Sequence, residues 1–107
     1  MRAAVMTEID RPMAVEDVTP LPRGRRDVVV HIDASGVCHS DLSMHRGLVR
    51  VPVPIVLGHE GAGTVESVGP EVTRVRPGDR VIASFVPACG QCFFCLHDQS
   101  NLCQMSP

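Results

Sequence analysis

The sequence predicts one small, mostly β domain, a β-barrel that also carries a cysteine-rich lobe and short helices. Apolar residues make up 44% of the 107 residues, but Trp and Tyr are absent, so we expect a core of Val, Ala, Leu and Ile. Runs rich in valine favour strands. The nine glycines and nine prolines indicate many turns and few long helices. A chain of this length can hold a single small domain.

Short apolar segments separated by turn residues predict an alternation of strands and turns along the whole chain. The strand candidates are Arg2 to Met6, Ala14 to Val18, Asp27 to Ser35, Thr64 to Val68 and Arg80 to Phe85, with a further short segment at Glu71 to Val75. The third candidate has the clearest period of two residues. We expect its apolar face, which includes Val28 and Ile32, to point inward, and His31 to point outward.

The segment after this strand predicts a junction between a strand and a helix. It runs from Gly36 to Asp41 and reads G-V-C-H-S-D. Ser40 and Asp41 are residue types that favour helix N-caps, and Leu42 to His45 suits a short helix. Cys38 is either a small buried hydrophobe or a functional thiol, and the segment alone leaves both readings open.

A second glycine-rich segment, Gly58 to Gly63, reads G-H-E-G-A-G. Three glycines in six positions let the backbone pass close to another group. Taken alone, His59 and Glu60 are compatible with an exposed loop. Together with Cys38, which lies outside the cysteine-rich segment, they suggest a metal site with Cys, His and Glu ligands.

The other four cysteines, Cys89, Cys92, Cys95 and Cys103, follow the spacing C-x2-C-x2-C-x7-C. A C-x2-C pair turns two sulfurs toward one ion, and four thiolates suit a tetrahedral zinc ion without an open coordination position. We therefore predict a structural zinc lobe over residues 89–103. The alternative is a loop with disulfides or free thiols. Disulfides between such close neighbours would be strained, and a reducing compartment disfavours them.

Charge and hydropathy argue against several classes of partner. The formal net charge of −2 gives no reason to expect a nucleic-acid or anionic-membrane partner. No apolar run approaches the roughly 20 residues that span a bilayer. The apolar segment at the N-terminus is too short, and too soon interrupted by charged residues, for a secretory signal. A nucleic-acid-binding zinc ribbon is a rival reading, but no Lys or Arg lies between Cys89 and Cys103 to bind phosphates. We expect a cytoplasmic protein without nucleic-acid or membrane partners.

Four segments form a set that is highly specific in combination. They are Gly36 to Asp41, Gly58 to Gly63, Val75 to Val81 and the four-cysteine segment. In this order and at these separations the set resembles the N-terminal part of zinc-dependent, medium-chain alcohol dehydrogenases, and it covers essentially the whole chain. The resemblance implies a GroES-like β-barrel fragment with two zinc sites, from an oxidoreductase whose full-length relatives are homo-oligomeric.

The resemblance implies a catalytic zinc ion with Cys38 and His59 as two of its ligands. Glu60 matches an acidic neighbour that can approach the metal during ligand exchange. Asp41 matches a carboxylate on the far imidazole nitrogen, which fixes the histidine tautomer and makes the ligand more basic. Ser40 and Asp41 are also compatible with plain helix capping, and the two roles do not exclude each other.

The implied reaction is hydride transfer between a small-molecule alcohol or aldehyde and NAD(P). Zinc would act as a Lewis acid toward the alcohol, and the nicotinamide would accept the hydride. Ser40 matches the hydroxyl that relays the alcohol proton. His39 matches a position that contacts the cofactor pyrophosphate.

The sequence also departs from the family. The family's third catalytic zinc ligand lies beyond the structural lobe, no sixth cysteine occurs here, and there is no G-x-G-x-x-G fingerprint. A Rossmann domain needs on the order of 150 residues. We therefore expect residues 1–107 to be an incomplete N-terminal GroES-like domain without a Rossmann domain, inactive as a dehydrogenase alone. The alternative is a non-catalytic GroES-like zinc-binding scaffold or interaction module, which would have no use for the Cys/His/Glu set.

Overall fold

Strands supply most of the regular structure in the computed structural model, which describes residues 1–105. The strands are β1 (Arg2–Val5), β2 (Ala14–Asp17), β3 (Val28–Ser35), β4 (Gly61–Val68) and β5 (Arg80–Ile82). The helices are α1 (His39–His45) and α2 (Phe93–Leu96), followed by a 3₁₀-helix over Ser100–Leu102. No helix within residues 1–105 combines the length and the apolar character that a membrane crossing requires.

Two antiparallel sheets organise the chain. β1 pairs with β2, and β3, β4 and β5 form a second sheet in that order. Just past β1, Met6 exchanges two backbone hydrogen bonds with Ile55, at 2.8 and 3.0 Å. Met6 is fully buried, with Val5 and Val65 also in the core. These bonds connect the first sheet to the loop that precedes Gly58 and β4.

The predicted strands are found at their expected places, and two of their boundaries differ by more than one residue. β4 begins earlier than expected, at Gly61, and β5 ends at Ile82 rather than Phe85. The Ala83 N–H still donates to the Gly61 carbonyl of β4 at 2.7 Å. At the next residue the Ser84 hydroxyl donates to the Val86 carbonyl at 3.0 Å, and the chain leaves the sheet.

The short segment from Glu71 to Val75 forms no strand. Its start is held by a turn, because the Val72 N–H donates to the Gly69 carbonyl at 3.1 Å. The Glu71 carboxylate meets Arg25 Nε at 2.6 Å, and the Glu71 N–H donates to the Arg25 carbonyl at 2.9 Å. These contacts fasten the segment to the loop before β3 instead of to a sheet.

The prediction of a buried apolar face on β3 is wrong for the part of the chain that the structure describes. Val28 is 38% exposed and Ile32 is 52% exposed, and Val30 between them is only half-buried. His31 is exposed, as predicted. Alternation identifies which residues share a face, but it does not identify what covers that face.

β3 and β4 approach each other closely at Gly63, which pairs with Ile32 next to an irregularity in the pairing. A Cβ atom at Gly63 would collide with the carbonyl oxygen of His31 and lie 3.0 Å from the Cα atom of Ile32. Both are backbone atoms of the neighbouring strand, so they cannot give way without disturbing the pairing.

We expect Gly63→Ala to lower the free energy of unfolding by about 1–3 kcal/mol, the usual cost of overpacking. Because Trp and Tyr are absent, thermal and urea unfolding would be followed by far-ultraviolet circular dichroism. The matched control is Gly61→Ala in the same strand, whose Cβ would lie 3.1 Å from the flexible Cδ1 atom of Ile32. Equal losses in the two variants would contradict the explanation.

Candidate metal centres

The first candidate centre begins at the N-terminus of α1. The expectation of a helix over Leu42 to His45 is corrected, because α1 starts at His39 and Cys38 is its N-cap, with extended backbone angles of φ −91° and ψ 155°. Asp41 is the third helical residue, and its Oδ2 atom accepts a 3.0 Å hydrogen bond from the Cys38 N–H. Asp41 therefore caps the helix from inside, as the glutamate of a capping box does.

The end of β3 and the start of β4 bring the second half of this centre beside Cys38. The Gly36 N–H donates to the Glu60 carbonyl at 3.0 Å, next to the β3–β4 pair Ser35 and Gly61. This backbone bond extends the sheet by one step past β3. As a result, the segment that carries His59 and Glu60 reaches the residues that open α1.

The structure brings three of the sequence-predicted residues into one group. A ligand atom each from Cys38, His59 and Glu60 lies within 4.8 Å of the others. Cys38 and His59 are half-buried and Glu60 is exposed. A thiolate, an imidazole and a carboxylate are all common zinc donors, so this donor set fits that ion. A further ligand or a small molecule would be needed to complete a tetrahedron.

Asp41 and Ser40 both present buried oxygen atoms to this group. Asp41 is 7% exposed and is the one charged residue buried in the described part of the chain. Its Oδ1 atom lies 3.4 Å from His59 Nδ1. That approach is too long or too poorly aligned to count as a hydrogen bond, so Asp41 Oδ1 has no hydrogen-bond partner among residues 1–105. The buried Ser40 Oγ atom has none there either. Buried polar oxygens without partners are typical of sites that bind something.

The surroundings of Cys38 favour the thiolate. The Ser40 hydroxyl and N–H dipoles and the His59 ring lower the pKa of the Cys38 thiol, against opposing contributions from burial and from the charge of Glu60. A thiol must lose its proton to bind a metal ion. The environment of Cys38 therefore already assists the ionisation that coordination requires.

An open cavity of about 560 Å³ adjoins these residues. Cys38, Ser40, His59 and Glu60 form its polar side, and its apolar side includes Phe85. The Phe85 ring packs edge-on against the His59 imidazole, with ring centroids 4.5 Å apart. The cavity has the size of a site for a small molecule. His39 is exposed on α1 and does not line it.

The second candidate centre contains the four clustered cysteines. Sulfur atoms of Cys89, Cys92, Cys95 and Cys103 all lie within 4.8 Å of one another, and all are free thiols. Backbone N–H groups point at two of the sulfurs. The N–H groups of residues 91 and 92 donate to Cys89 Sγ at 3.4 and 3.3 Å, and those of residues 89 and 105 donate to Cys103 Sγ at 3.3 and 3.4 Å.

These donors lower the cost of placing negative charge on the cluster. Backbone hydrogen bonds, first from Cys95 and then from Gln104, lower the pKa of Cys92 to about 6. N–H groups of Cys89 and Met105 lower the pKa of Cys103. At Cys95 the Gly90 N–H acts in the same direction, but burial and the neighbouring thiols outweigh it and raise the pKa to about 11. Four sulfurs with convergent N–H donors fit a closed tetrahedral zinc site.

Two contributors to the first centre were missed by sequence reasoning. In the sequence, Gly36 indicates only the end of a strand, but in the structure the Glu60 side chain lies against it. The sequence predicts Phe85 as the last residue of a strand, but in the structure it lies after β5 and contacts His59. An aromatic residue shortly after a strand is a weak signal, and the pairing of Gly36 with Glu60 depends on how the sheet ends.

The chain matches the family model of the alcohol dehydrogenase GroES-like domain over residues 24–106. It is 40% identical to alcohol dehydrogenase TADH from Thermus sp. ATN1, with a TM-score of 0.84, and the match covers 97% of this chain and 30% of that chain. It is 33% identical to zinc dependent alcohol dehydrogenase 2 from Streptococcus pneumonia in its apo form, with a TM-score of 0.84 and coverage of 98% and 30%.

A third solved structure is CAD from Helicobacter pylori complexed with NADP(H), with 29% identity, a TM-score of 0.79 and coverage of 98% and 31%. The chain therefore spans about 30% of the length of these three structures. Strands with few short helices, a four-cysteine cluster and these similarities confirm the fold class and the family that the sequence predicts. The chain belongs to the GroES-like domain family of zinc-dependent alcohol dehydrogenases.

Proposed function

We propose that residues 1–107 are the metal-binding, N-terminal GroES-like portion of a cytoplasmic, zinc-dependent alcohol dehydrogenase. The complete enzyme would transfer hydride between a small alcohol or aldehyde and NAD(P). The nucleotide would bind to a separate Rossmann domain, and residues 1–107 alone would be inactive. Support for a longer enzyme comes from the similar structures, of which this chain spans about 30%. Five free cysteines are typical of a reducing compartment.

The observation that carries this proposal is the meeting of Cys38, His59 and Glu60 beside an open cavity. The first two would be ligands of a catalytic zinc ion, and Glu60 would approach it. The ion would supply Lewis acidity toward an alcohol oxygen. A purely structural domain needs neither an open thiolate-imidazole pair nor a cavity that adjoins it.

The chain's own residues would hold the ligands and move the proton. Asp41 would accept from His59 Nδ1–H, which leaves Nε2 free as the donor to the metal and orients the ring. The Ser40 hydroxyl, buried at the cavity and without a partner, would accept the proton that the alcohol releases. Phe85 would restrict the motion of the His59 ring and keep water from that side of it.

The other assignments concern the cofactor and the second metal. His39, exposed on the first turn of α1, would contact the cofactor pyrophosphate. The cysteines of the lobe, Cys89, Cys92, Cys95 and Cys103, would hold a structural zinc ion. His39 would be the contact of residues 1–107 with the cofactor. The main contribution of residues 1–107 would therefore be the metal ligands and the group that accepts the proton.

Cobalt substitution tests the proposal. We expect the reduced chain to bind two cobalt ions with distinct absorption spectra, and Cys38→Ser to remove one of them. A single cobalt ion that is insensitive to Cys38→Ser would instead favour a non-catalytic scaffold. In an enzyme that contains this domain and its nucleotide-binding domain, alcohol-dependent NAD(P)H formation should be abolished by the same substitution.

We expect Asp41→Asn to weaken zinc binding at the Cys38–His59 site by roughly 10–100-fold, the usual effect of losing a ligand's outer partner. Asn can still cap α1, so the helix should persist while the negative charge beside His59 is lost. Competition with a chelating dye would measure the affinity. Asp79→Asn is the matched control, since Asp79 Oδ2 accepts the Arg76 N–H at 3.0 Å in the same i, i+3 arrangement. Equal effects would contradict the assigned role.

We expect removal of zinc by a chelator to open the cysteine lobe while the sheets persist. Binding at a structural zinc site contributes roughly 10 kcal/mol or more to folding in isolated zinc-finger peptides. Chymotrypsin should then cut at Phe93 and Phe94 much faster than in the zinc-loaded chain, as measured by mass spectrometry. Tryptic cleavage after Arg50, which is exposed in the loop that follows α1, serves as the control and should not change. Unchanged chymotryptic rates would count against a metal-dependent lobe.

A further inference from the structure

The side chain of Glu60 is the nearest neighbour of the space in which a side chain at position 36 would begin. A Cβ atom at Gly36 would lie 3.2 Å from both Cβ and Cδ of Glu60. It would also collide with Glu60 Oε2, the nearest atom of all. The carboxylate of Glu60 therefore rests where a side chain at position 36 would begin.

No polar contact holds the Glu60 carboxylate in this place. Within residues 1–105 it takes part in no hydrogen bond and no ion pair, and Glu60 is exposed. Its backbone is fixed, because the Glu60 carbonyl accepts the Gly36 N–H at 3.0 Å. The position of the carboxylate is thus determined by available space, and Gly36 supplies that space.

Backbone geometry does not explain the glycine at this position. The glycines with positive φ in the described part of the chain are Gly47, Gly58, Gly78 and Gly90. Gly36 is not among them, so an alanine could adopt its backbone conformation without strain. Position 36 therefore needs a glycine because a side chain there would collide with Glu60.

We propose that Gly36 is a positioning residue whose missing side chain holds the Glu60 carboxylate within reach of a metal ion bound by Cys38 and His59. This inference rests on the metal site of the proposed function. A side chain at position 36 would swing the carboxylate outward into solvent, away from Cys38 Sγ and His59. The presence or absence of a side chain at position 36 then determines whether the protein provides two metal donors or three.

The nature of the clash makes this inference testable in a folded protein. At Gly36 the closest obstructing atom is the tip of a flexible side chain, whereas at Gly63 it is a backbone carbonyl. An alanine at position 36 can be accommodated by rotating the Glu60 carboxylate and shifting the Glu60 Cβ by a few tenths of an ångström, whereas an alanine at position 63 would have to displace the backbone of β3. Gly36→Ala should therefore fold and still displace the carboxylate.

The experiment is a cobalt titration of the reduced chain and of Gly36→Ala, Glu60→Ala and the double variant. We expect each single variant to weaken cobalt binding at the Cys38–His59 site by about tenfold, the lower end of the effect of losing a supporting partner. The double variant should be no weaker than Glu60→Ala, because residues that act through one group are not additive. The cobalt–thiolate absorption of the four-cysteine lobe should stay unchanged, which verifies folding.

Gly61→Ala is the matched control, since it adds a methyl group against Ile32 and not against Glu60. It should leave cobalt affinity unchanged. Wild-type affinity in Gly36→Ala, or additive losses in the double variant, would overturn the inference. So would an unchanged affinity in Glu60→Ala, and in that case a second cobalt ion that Cys38→Ser removes would leave the proposed function standing. Binding of one cobalt ion only by the unmodified chain would overturn both.

Discussion

The carboxylate of Asp41 joins the two halves of the open site, and the arrangement of the site depends on it. One oxygen accepts the Cys38 N–H at the start of α1, and the other approaches His59 Nδ1 from the opposite side. A buried carboxylate is costly unless its charge is compensated. The N-terminus of α1 provides that compensation through the Cys38 N–H, while the second oxygen lies 3.4 Å from His59 Nδ1. Asp41 therefore lies between the residue that carries the thiol and the imidazole ring.

The two candidate centres solve the problem of holding a metal in opposite ways. In the lobe, the four candidate ligands lie close together in sequence and backbone N–H groups donate to the Cys89 and Cys103 sulfurs, so local chain geometry is sufficient to bring them together. In the first centre, the open site of Cys38, His59 and Glu60, Cys38 lies at the start of a helix and His59 lies just before a strand. The pairing of β3 with β4 brings these two residues together. Locally assembled sites suit permanent binding, and sites between elements can exchange ligands with a cavity.

Most of the strands and the metal-ligand candidates could be predicted because each has a short-range signal in residue type and spacing. The start of α1 could not, because Cys38 is an unusual N-cap and the capping side chain follows it in the helix. The exposure of Ile32 depends on which segments cover a face, which alternation does not encode. The contact of Gly36 with Glu60 arises from the end of the β3–β4 pairing, a tertiary feature.

The cysteine lobe closes on itself, since the N–H of its first cysteine, Cys89, donates to the sulfur of its last, Cys103, at 3.3 Å. A segment whose two ends meet in this way imposes little strain on the chain that enters and leaves it. Its stability would come from its own four ligands rather than from the sheets. Such a lobe has the geometry of a modular insertion, a segment that could be gained, shortened or discarded as one unit while the two sheets keep their pairing.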